Sequence, residues 1–377
     1  MRILHLGKYY APERGGIESY TQALCEWAAA RGHSVAALVH QRPGVWTTSR
    51  ETVNGIDVRR VACIAAPVYT PVSPTYPIEL SRALREVQPD LLHLHLPNPS
   101  CFALLASARA KRIPWVVHWH SDIPPDAPDW RLRTGYRVYK PFEQALLKRA
   151  AAIVATSEPY IDASLALAPW RAKARVIALG AGDIALPPPR RDLWPEGDGV
   201  RWLAVGRLSH YKGFDVLLRA LGSVRDARLV IIGEGECANA LRETAAEAGV
   251  ADRVRFAGAV DDATLLAAYA GADAFALPSL NRGEAFGLVL LEAMRARLPV
   301  VASAIEGSGI GEVVADGETG LLVPPGDADA LASALARLRD ADLRARMGAR
   351  GRERFEERFT LERSAQRWLD LYQDVLR

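Results

Sequence analysis

The feature that most constrains this chain is a pattern that occurs twice: a short apolar run, a glycine-bearing loop, then a helical segment. The first copy reads Ile3 to Leu6, the loop from Gly7 to Glu18 with Gly15-Gly16, and a helical pattern from about Ser19 to Ala30. The second reads Arg201 to Val205, Gly206-Arg-Leu-Ser-His-Tyr-Lys-Gly213, and Phe214 to Leu221. Apolar runs too short for helices recur after each opening, at Val35 to Val39, Asp57 to Val61, Leu91 to His95, Trp115 to Trp119, Ala152 to Ala155 and Arg175 to Ala178 in the first half. In the second half they fall at Leu229 to Gly233, Val254 to Ala257, Ala274 to Leu277, Pro299 to Ala302 and Leu321 to Val323. Helical segments at Ile78 to Val87, Phe102 to Ala110, Tyr136 to Arg149 and Tyr160 to Ala166 separate most strands of the first half. Alternation of this kind predicts α/β architecture, with parallel sheets covered on both faces. Ligands of such sheets bind outside the carboxyl ends of the strands.

At 377 residues the chain exceeds what one hydrophobic core organises, so two domains are expected. Pro187-Pro-Pro-Arg-Arg191 and Pro195-Glu-Gly-Asp-Gly199 place the boundary. The division is 1–183, a linker 184–200, a second domain 201–360, and a helical tail 361–377 expected to pack back on the first domain. Four cysteines, Cys25, Cys63, Cys101 and Cys237, stand far apart with no C-x-x-C pair, which argues against structural zinc or a disulfide framework and suits a reducing cytoplasm. The N-terminal apolar run is too short for a signal peptide, and no stretch is long enough to span a bilayer. Met1 to Asp183 carries 22 Lys and Arg against 15 Asp and Glu, while the remainder is mildly acidic. A basic first half suits an anionic acceptor or membrane surface; uneven solvated charge is the alternative. Basic and aromatic residues interleave between Asp129 and Lys140, a composition that fits a lipid headgroup interface or a solvated helix start with tucked tyrosines.

Chemistry concentrates in Asn281 to Met294. Glu284 precedes a helix start, Ala285, Phe286 and Gly287 lead into it, and Leu288 to Met294 are good helix formers that carry Glu292. The helix N-terminus would offer amides to an anion, while ionised glutamates on either side accept hydrogen bonds from hydroxyls. Hydroxyls, phosphate, hydroxyls is the outline of a nucleotide-sugar. Arg207 and Lys212, in the loop after Gly206, bring two cations suited to a diphosphate. That loop lacks the P-loop order, and Gly233-Glu-Gly235 lacks the third glycine of a dinucleotide fingerprint, which disfavours a nicotinamide oxidoreductase. Asp261-Asp262 reads as a helix cap in preference to a metal site. Glu306 to Glu312 is a glycine-rich loop able to touch a ligand. His93-Leu-His95 and His118-Trp-His120 close two strands, with Asp122 following; polar-cleft histidines holding a sugar hydroxyl are preferred there over metal ligands.

Taken in order, Gly15-Gly16-Ile-Glu18, His118-Trp-His120, Gly206-Arg207, Lys212-Gly213, Gly233-Glu-Gly235, Glu284 to Glu292 and Gly317-Glu-Thr-Gly-Leu-Leu-Val-Pro-Pro-Gly326 resemble the retaining glycosyltransferases of family 4. That resemblance covers nearly the whole chain. It implies the GT-B architecture, two Rossmann-like domains facing a central cleft. It also implies a metal-independent hexosyltransferase without a cofactor, using a GDP- or UDP-linked sugar as donor substrate. Carried over by position, Arg207 and Lys212 neutralise the donor diphosphate, Glu284 faces the donor sugar and His120 lies near it, with His118 behind. Glu292 grips the ribose. The backbone of Ala285, Phe286 and Gly287 sits against sugar and phosphate, Gly206, Gly235 and Leu288 also bind the donor, and Gly15 and Gly16 cover the phosphate. Leu94-His-Leu-Pro-Asn-Pro99 and His118-Trp-His-Ser-Asp-Ile123 resemble bacterial mannosyl- and rhamnosyltransferases of polysaccharide assembly. The acceptor is then a glycan or lipid-diphosphate-linked sugar, at the inner face of the cytoplasmic membrane, with no nucleic-acid partner. Alternatives are a transferase or epimerase acting on UDP-glucose or UDP-GlcNAc, a glycogen-synthase-like enzyme, and a catalytically silent partner subunit.

Overall fold

The computed structural model describes residues 1–13, 15–67, 70–123 and 130–377; Arg14 of the first loop and Asp129 at the head of the basic and aromatic segment lie outside them. The chain divides into two compact units, Met1–Leu179 with Leu361–Arg377, and Gly180–Thr360.

In the first unit the strands are β1 (Arg2–Leu6), β2 (Ser34–His40), β3 (Ser49–Val53), β4 (Ile56–Val61), β5 (Leu91–Leu96), β6 (Trp115–Trp119), β7 (Ala152–Ala155) and β8 (Ala174–Val176). Its helices are α1 (Gly16–Ala29), α2 (Tyr76–Glu86), α3 (Trp130–Arg149) and α4 (Glu158–Ala163). The sheet order is β3-β4-β2-β1-β5-β6-β7-β8. Every pairing is parallel except β3 with β4. β5 and β6 are buried along their whole length, which is why both read as continuous apolar runs broken only by histidine. The segment Phe102 to Ala110, expected to be an α-helix, differs: Pro99–Ala106 forms 3-10 turns, opened by the Asn98 side chain accepting from the Ser100 amide at 3.2 Å. The C-terminal helix Leu361–Leu376 belongs to this unit. Its Trp368 indole donates to the Tyr20 hydroxyl at 2.9 Å, and Ser364 Oγ donates to the Ala178 carbonyl at 2.6 Å.

The second unit contains β9 (Val200–Val205), α5 (Phe214–Gly222), β10 (Ala227–Ile232), α6 (Ala238–Glu247), β11 (Val254–Gly258), α7 (Asp262–Gly271) and β12 (Ala274–Leu277). There follow α8 (Leu288–Arg295), β13 (Val300–Ser303), α9 (Ile310–Val313), β14 (Gly320–Val323), α10 (Ala328–Arg337) and α11 (Ala341–Arg358). The sheet is parallel throughout, in the order β11-β10-β9-β12-β13-β14, the doubly wound arrangement. Its core joins Trp202, Leu217, Leu221, Leu229, Ile231, Val301 and Leu335, all fully buried. Within the proline- and glycine-rich segment, Trp194 is buried on this unit and its indole donates to the Trp202 carbonyl at 2.8 Å. Asp261 caps α7 by accepting from the Thr264 amide at 2.7 Å.

Both sheets reverse direction at one point, between β1 and β5 and between β9 and β12. Loops leaving such neighbours diverge and open a crevice at their carboxyl ends.

Candidate functional site

In the second unit the loop after β9 carries the predicted cations, the loop after β12 carries Glu284, and α8 carries Glu292. The Lys212 ammonium meets Glu284 Oε2 at 2.5 Å, and both side chains are about nine-tenths buried. The two residues, expected at different parts of a ligand, are in contact with each other. Burial would lower the Lys212 pKa, but Glu284 and Tyr211 outweigh it and raise the value, so the ammonium stays charged. Ser279, at the start of the loop after β12, donates to the same carboxylate oxygen at 2.9 Å. Ser308 Oγ donates to the Glu284 carbonyl at 2.6 Å, and the Gly309 amide donates to the Ala285 carbonyl at 2.8 Å. The glycine-rich loop after β13 therefore fixes the backbone of the Glu284 turn from below.

Helix α8 begins where the sequence places it. Gly287 caps it at φ 82 with no side-chain cap, and no acid stands in the first turn. A side chain at Gly287 would be strained by φ and would press on Leu290 Cδ1 at 2.8 Å. Gly287 thus offers the first-turn amides no side-chain acceptor, and they present the positive end of the helix dipole. Ala285 and Phe286 are buried beside it.

Gly206 packs against the Lys212 side chain, and Gly235 lies on the Leu208 backbone. Gly233 touches Gly206 so closely, at φ 141, that an added methyl would overlap the Gly206 carbonyl oxygen. Arg207 is half exposed, 3.7 Å from Glu236. Glu292, on the first turns of α8, accepts from the Tyr269 hydroxyl at 2.7 Å. Burial raises its pKa, with Tyr269 and Arg295 opposing. Ser279, Ser308, Tyr211 and Tyr269 were not found by sequence reasoning: single hydroxyls in loops and helices carry no spacing signal.

In the first unit Gly15 caps α1 in extended conformation without a side-chain cap, and Gly16 is the first helical residue. His118 and His120 lie on the β1–β5–β6 face, together with His5, His93 and His95. Register explains this: His5 pairs with His93 and His95 with His118 on neighbouring strands. His120 follows the end of β6 yet still stacks on His95, with ring centroids 5.2 Å apart. Burial lowers the His120 pKa to about 3, with Lys8 adding to the effect, so its imidazole is neutral near pH 7. Among the described residues, His5, His93 and His95 form one group with metal-ligand spacing and His95, His118 and His120 another.

Residues 192–354 match the family model "Glycosyl transferases group 1", and residues 15–180 match "Glycosyl transferase 4-like domain". The chain is 32% identical to the D-rhamnosyltransferase WbpZ of Pseudomonas aeruginosa over 96% of its own length and 92% of that protein. It is 30% identical to O-antigen chain mannosyltransferase C of Escherichia coli, over 100% of its own length and 99% of the relative. Among solved structures it is similar to sucrose-phosphate synthase of Thermosynechococcus elongatus, with TM-score 0.81 and 25% identity, covering 99% of this chain and 98% of that one. The chain belongs to the group 1 glycosyltransferases, with a family 4-like N-terminal domain and the GT-B fold, and is an enzyme of that class.

Proposed function

We propose that the enzyme moves a hexose, mannose-type first, from a nucleotide-diphosphate sugar to a hydroxyl of a glycan or lipid-linked acceptor in cell-surface polysaccharide assembly, with retention of anomeric configuration. The observation that carries this reading is the buried Lys212–Glu284 pair beside the uncapped start of α8. The names of the two relatives, a rhamnosyltransferase and a mannosyltransferase, support the choice of sugar.

The reaction breaks the bond from the anomeric carbon to the diphosphate oxygen and forms one to the acceptor oxygen on the same face. Negative charge grows on the leaving diphosphate. Lys212, Arg207 and the α8 amides stabilise that charge, and they do so most strongly in the transition state. Glu284 accepts from a donor-sugar hydroxyl, and Glu292 from the ribose. In the first unit, neutral His120 is the group assigned to the donor sugar, with His118 behind it, and Gly15 and Gly16 to the phosphate. Fixed cations and a helix end supply the charge stabilisation a divalent ion would otherwise give, so transfer without metal or cofactor is expected.

Helix α3 supports peripheral membrane contact on the cytoplasmic side. It exposes Trp130 at 63%, Val138 at 66% and Phe142 at 48% beside Arg131, Arg137 and Lys140. No helix among the described residues is long and apolar enough to cross a membrane.

The test is a panel of GDP- and UDP-sugars scored by thermal shift, then by transfer in excess EDTA. Binding stabilises by mass action, so GDP-mannose should raise Tm more than UDP-glucose does. A larger shift with UDP-glucose would overturn the donor assignment, and strict dependence on added divalent ion would overturn the metal-free mechanism.

A further inference from the structure

Five of the eight histidines in the chain gather on one face of β1, β5 and β6. All five are buried, from 0% exposure at His93 and His118 to 7% at His120. Four of them are hydrogen-bonded, His93 through Nδ1 to the Tyr372 hydroxyl at 2.6 Å. His5 Nδ1 lies 3.1 Å from His95 Nε2, and His95 Nδ1 lies 2.9 Å from His120 Nε2. Neutral imidazoles, each giving one proton and accepting one, satisfy both contacts.

His118 is not accounted for. It is fully buried, and among the described residues neither ring nitrogen has a hydrogen-bond partner. A neutral imidazole so placed hides both an N–H and a lone pair without compensation, an arrangement that native cores rarely keep without reason. Its ligating nitrogen lies within 4.8 Å of those of His95 and His120.

We infer that His95, His118 and His120 form a binding site for a borderline-soft divalent transition metal of the Zn2+ class. Three imidazoles without a carboxylate suit Zn2+, Co2+ or Cu2+ and not the hard ions Mg2+ and Ca2+. Burial holds all three imidazoles neutral, the form that ligates. A metal–nitrogen bond of about 2.0–2.1 Å sets tetrahedral ligands roughly 3.3 Å apart, so the His95–His120 contact need open by only a few tenths of an ångström. The second shell is in place: with its Nδ1 on the metal, His95 donates Nε2–H to His5 Nδ1. The Thr21 hydroxyl, 3.4 Å from His95 Nδ1, stands beside the site. Tyr20 and Trp368 close it through edge and tilted contacts with His118. Lys8 is the opposing feature, since its charge acts on His120.

This site is separate from the metal-free transfer proposed above, and only its effect on activity rests on that reading. A metal on His120 removes that ring from the donor sugar, so the ion is inhibitory. The test titrates Co2+ and Zn2+ into metal-stripped full-length enzyme. One Co2+ per chain should give intense visible d–d bands of tetrahedral nitrogen ligation, displaced by Zn2+. His118→Phe and, should that variant fail to fold, His120→Gln should weaken binding at least about tenfold, whereas substitution of His33 or His210 should not. Absence of the bands, or unchanged affinity in the cluster variants, overturns the site. Zn2+ that binds there without slowing transfer overturns the sugar-facing role of His120 and leaves the site standing.

Discussion

Acidification should unfold the first unit through its histidine cluster. Burial lowers the pKa of His5 and His120 from 6.5 to about 3, and those of His93, His95 and His118 well below the ordinary value. All five are therefore neutral in the folded unit, while the unfolded chain takes up protons below pH 6.5. Stability is complete above that pH and is lost as pH falls toward the folded values. At pH 5.5 His5 and His120 together cost on the order of 3 kcal/mol, and His93, His95 and His118 act in the same direction. Glu143 acts in the opposite direction: burial raises its pKa from 4.5 to about 7, so the folded form gains a proton first and returns about 2 kcal/mol at pH 5.5. Five histidines oppose one glutamate, so the net effect is a loss, and a loss of a few kcal/mol is a large part of the stability of an ordinary domain. Lys8, Tyr20, Thr21, Tyr372 and Trp368 are polar or charged groups packed near the cluster, and Lys8 makes protonation of His120 harder still. Urea melts followed by near-UV circular dichroism at pH 7.5, 6.5 and 5.5 would measure the slope. His93→Phe should reduce proton uptake on unfolding by about one. A stability that stays flat between pH 7 and pH 5.5 would refute the reasoning.

Three further outcomes are expected. Glu284→Gln leaves the Lys212 ammonium buried without its counter-ion and should cost about 3–5 kcal/mol in urea melts, with Lys212→Met/Glu284→Gln together costing less than the sum; additive losses would show that the two do not act as a pair. Gly233→Ala forces a methyl onto the Gly206 carbonyl at positive φ and should destabilise the second unit by roughly 2–4 kcal/mol, while wild-type melting would contradict the close approach. Tyr269→Phe removes the hydroxyl that positions Glu292 and should raise the donor KM several-fold with kcat nearly unchanged, and an equal fall in kcat would move Tyr269 into the transition state.

Both sheets were legible because parallel strands buried on two faces must be apolar and helices must separate them. β3 was not: Ser49–Val53 is an exposed polar edge strand, set by its pairing with β4 and not by its own hydrophobicity. The start of α8 could be read from Gly287 and the helix formers behind it. The Lys212–Glu284 pair could not, since 72 residues separate its members and only the β9–β12 adjacency joins them. The two His-x-His pairs were visible as strand ends. That His5 joins them follows from sheet order, which a linear reading does not contain.

The central claim is that the Lys212–Glu284 turn holds the donor. Its most direct test is the initial rate of mannose transfer from GDP-mannose to a lipid-linked acceptor by Lys212→Ala and Glu284→Ala, each checked for a native circular dichroism spectrum. Both rates should fall by about a hundredfold or more while the variants stay folded. Folded variants that turn over at near the wild-type rate would contradict it.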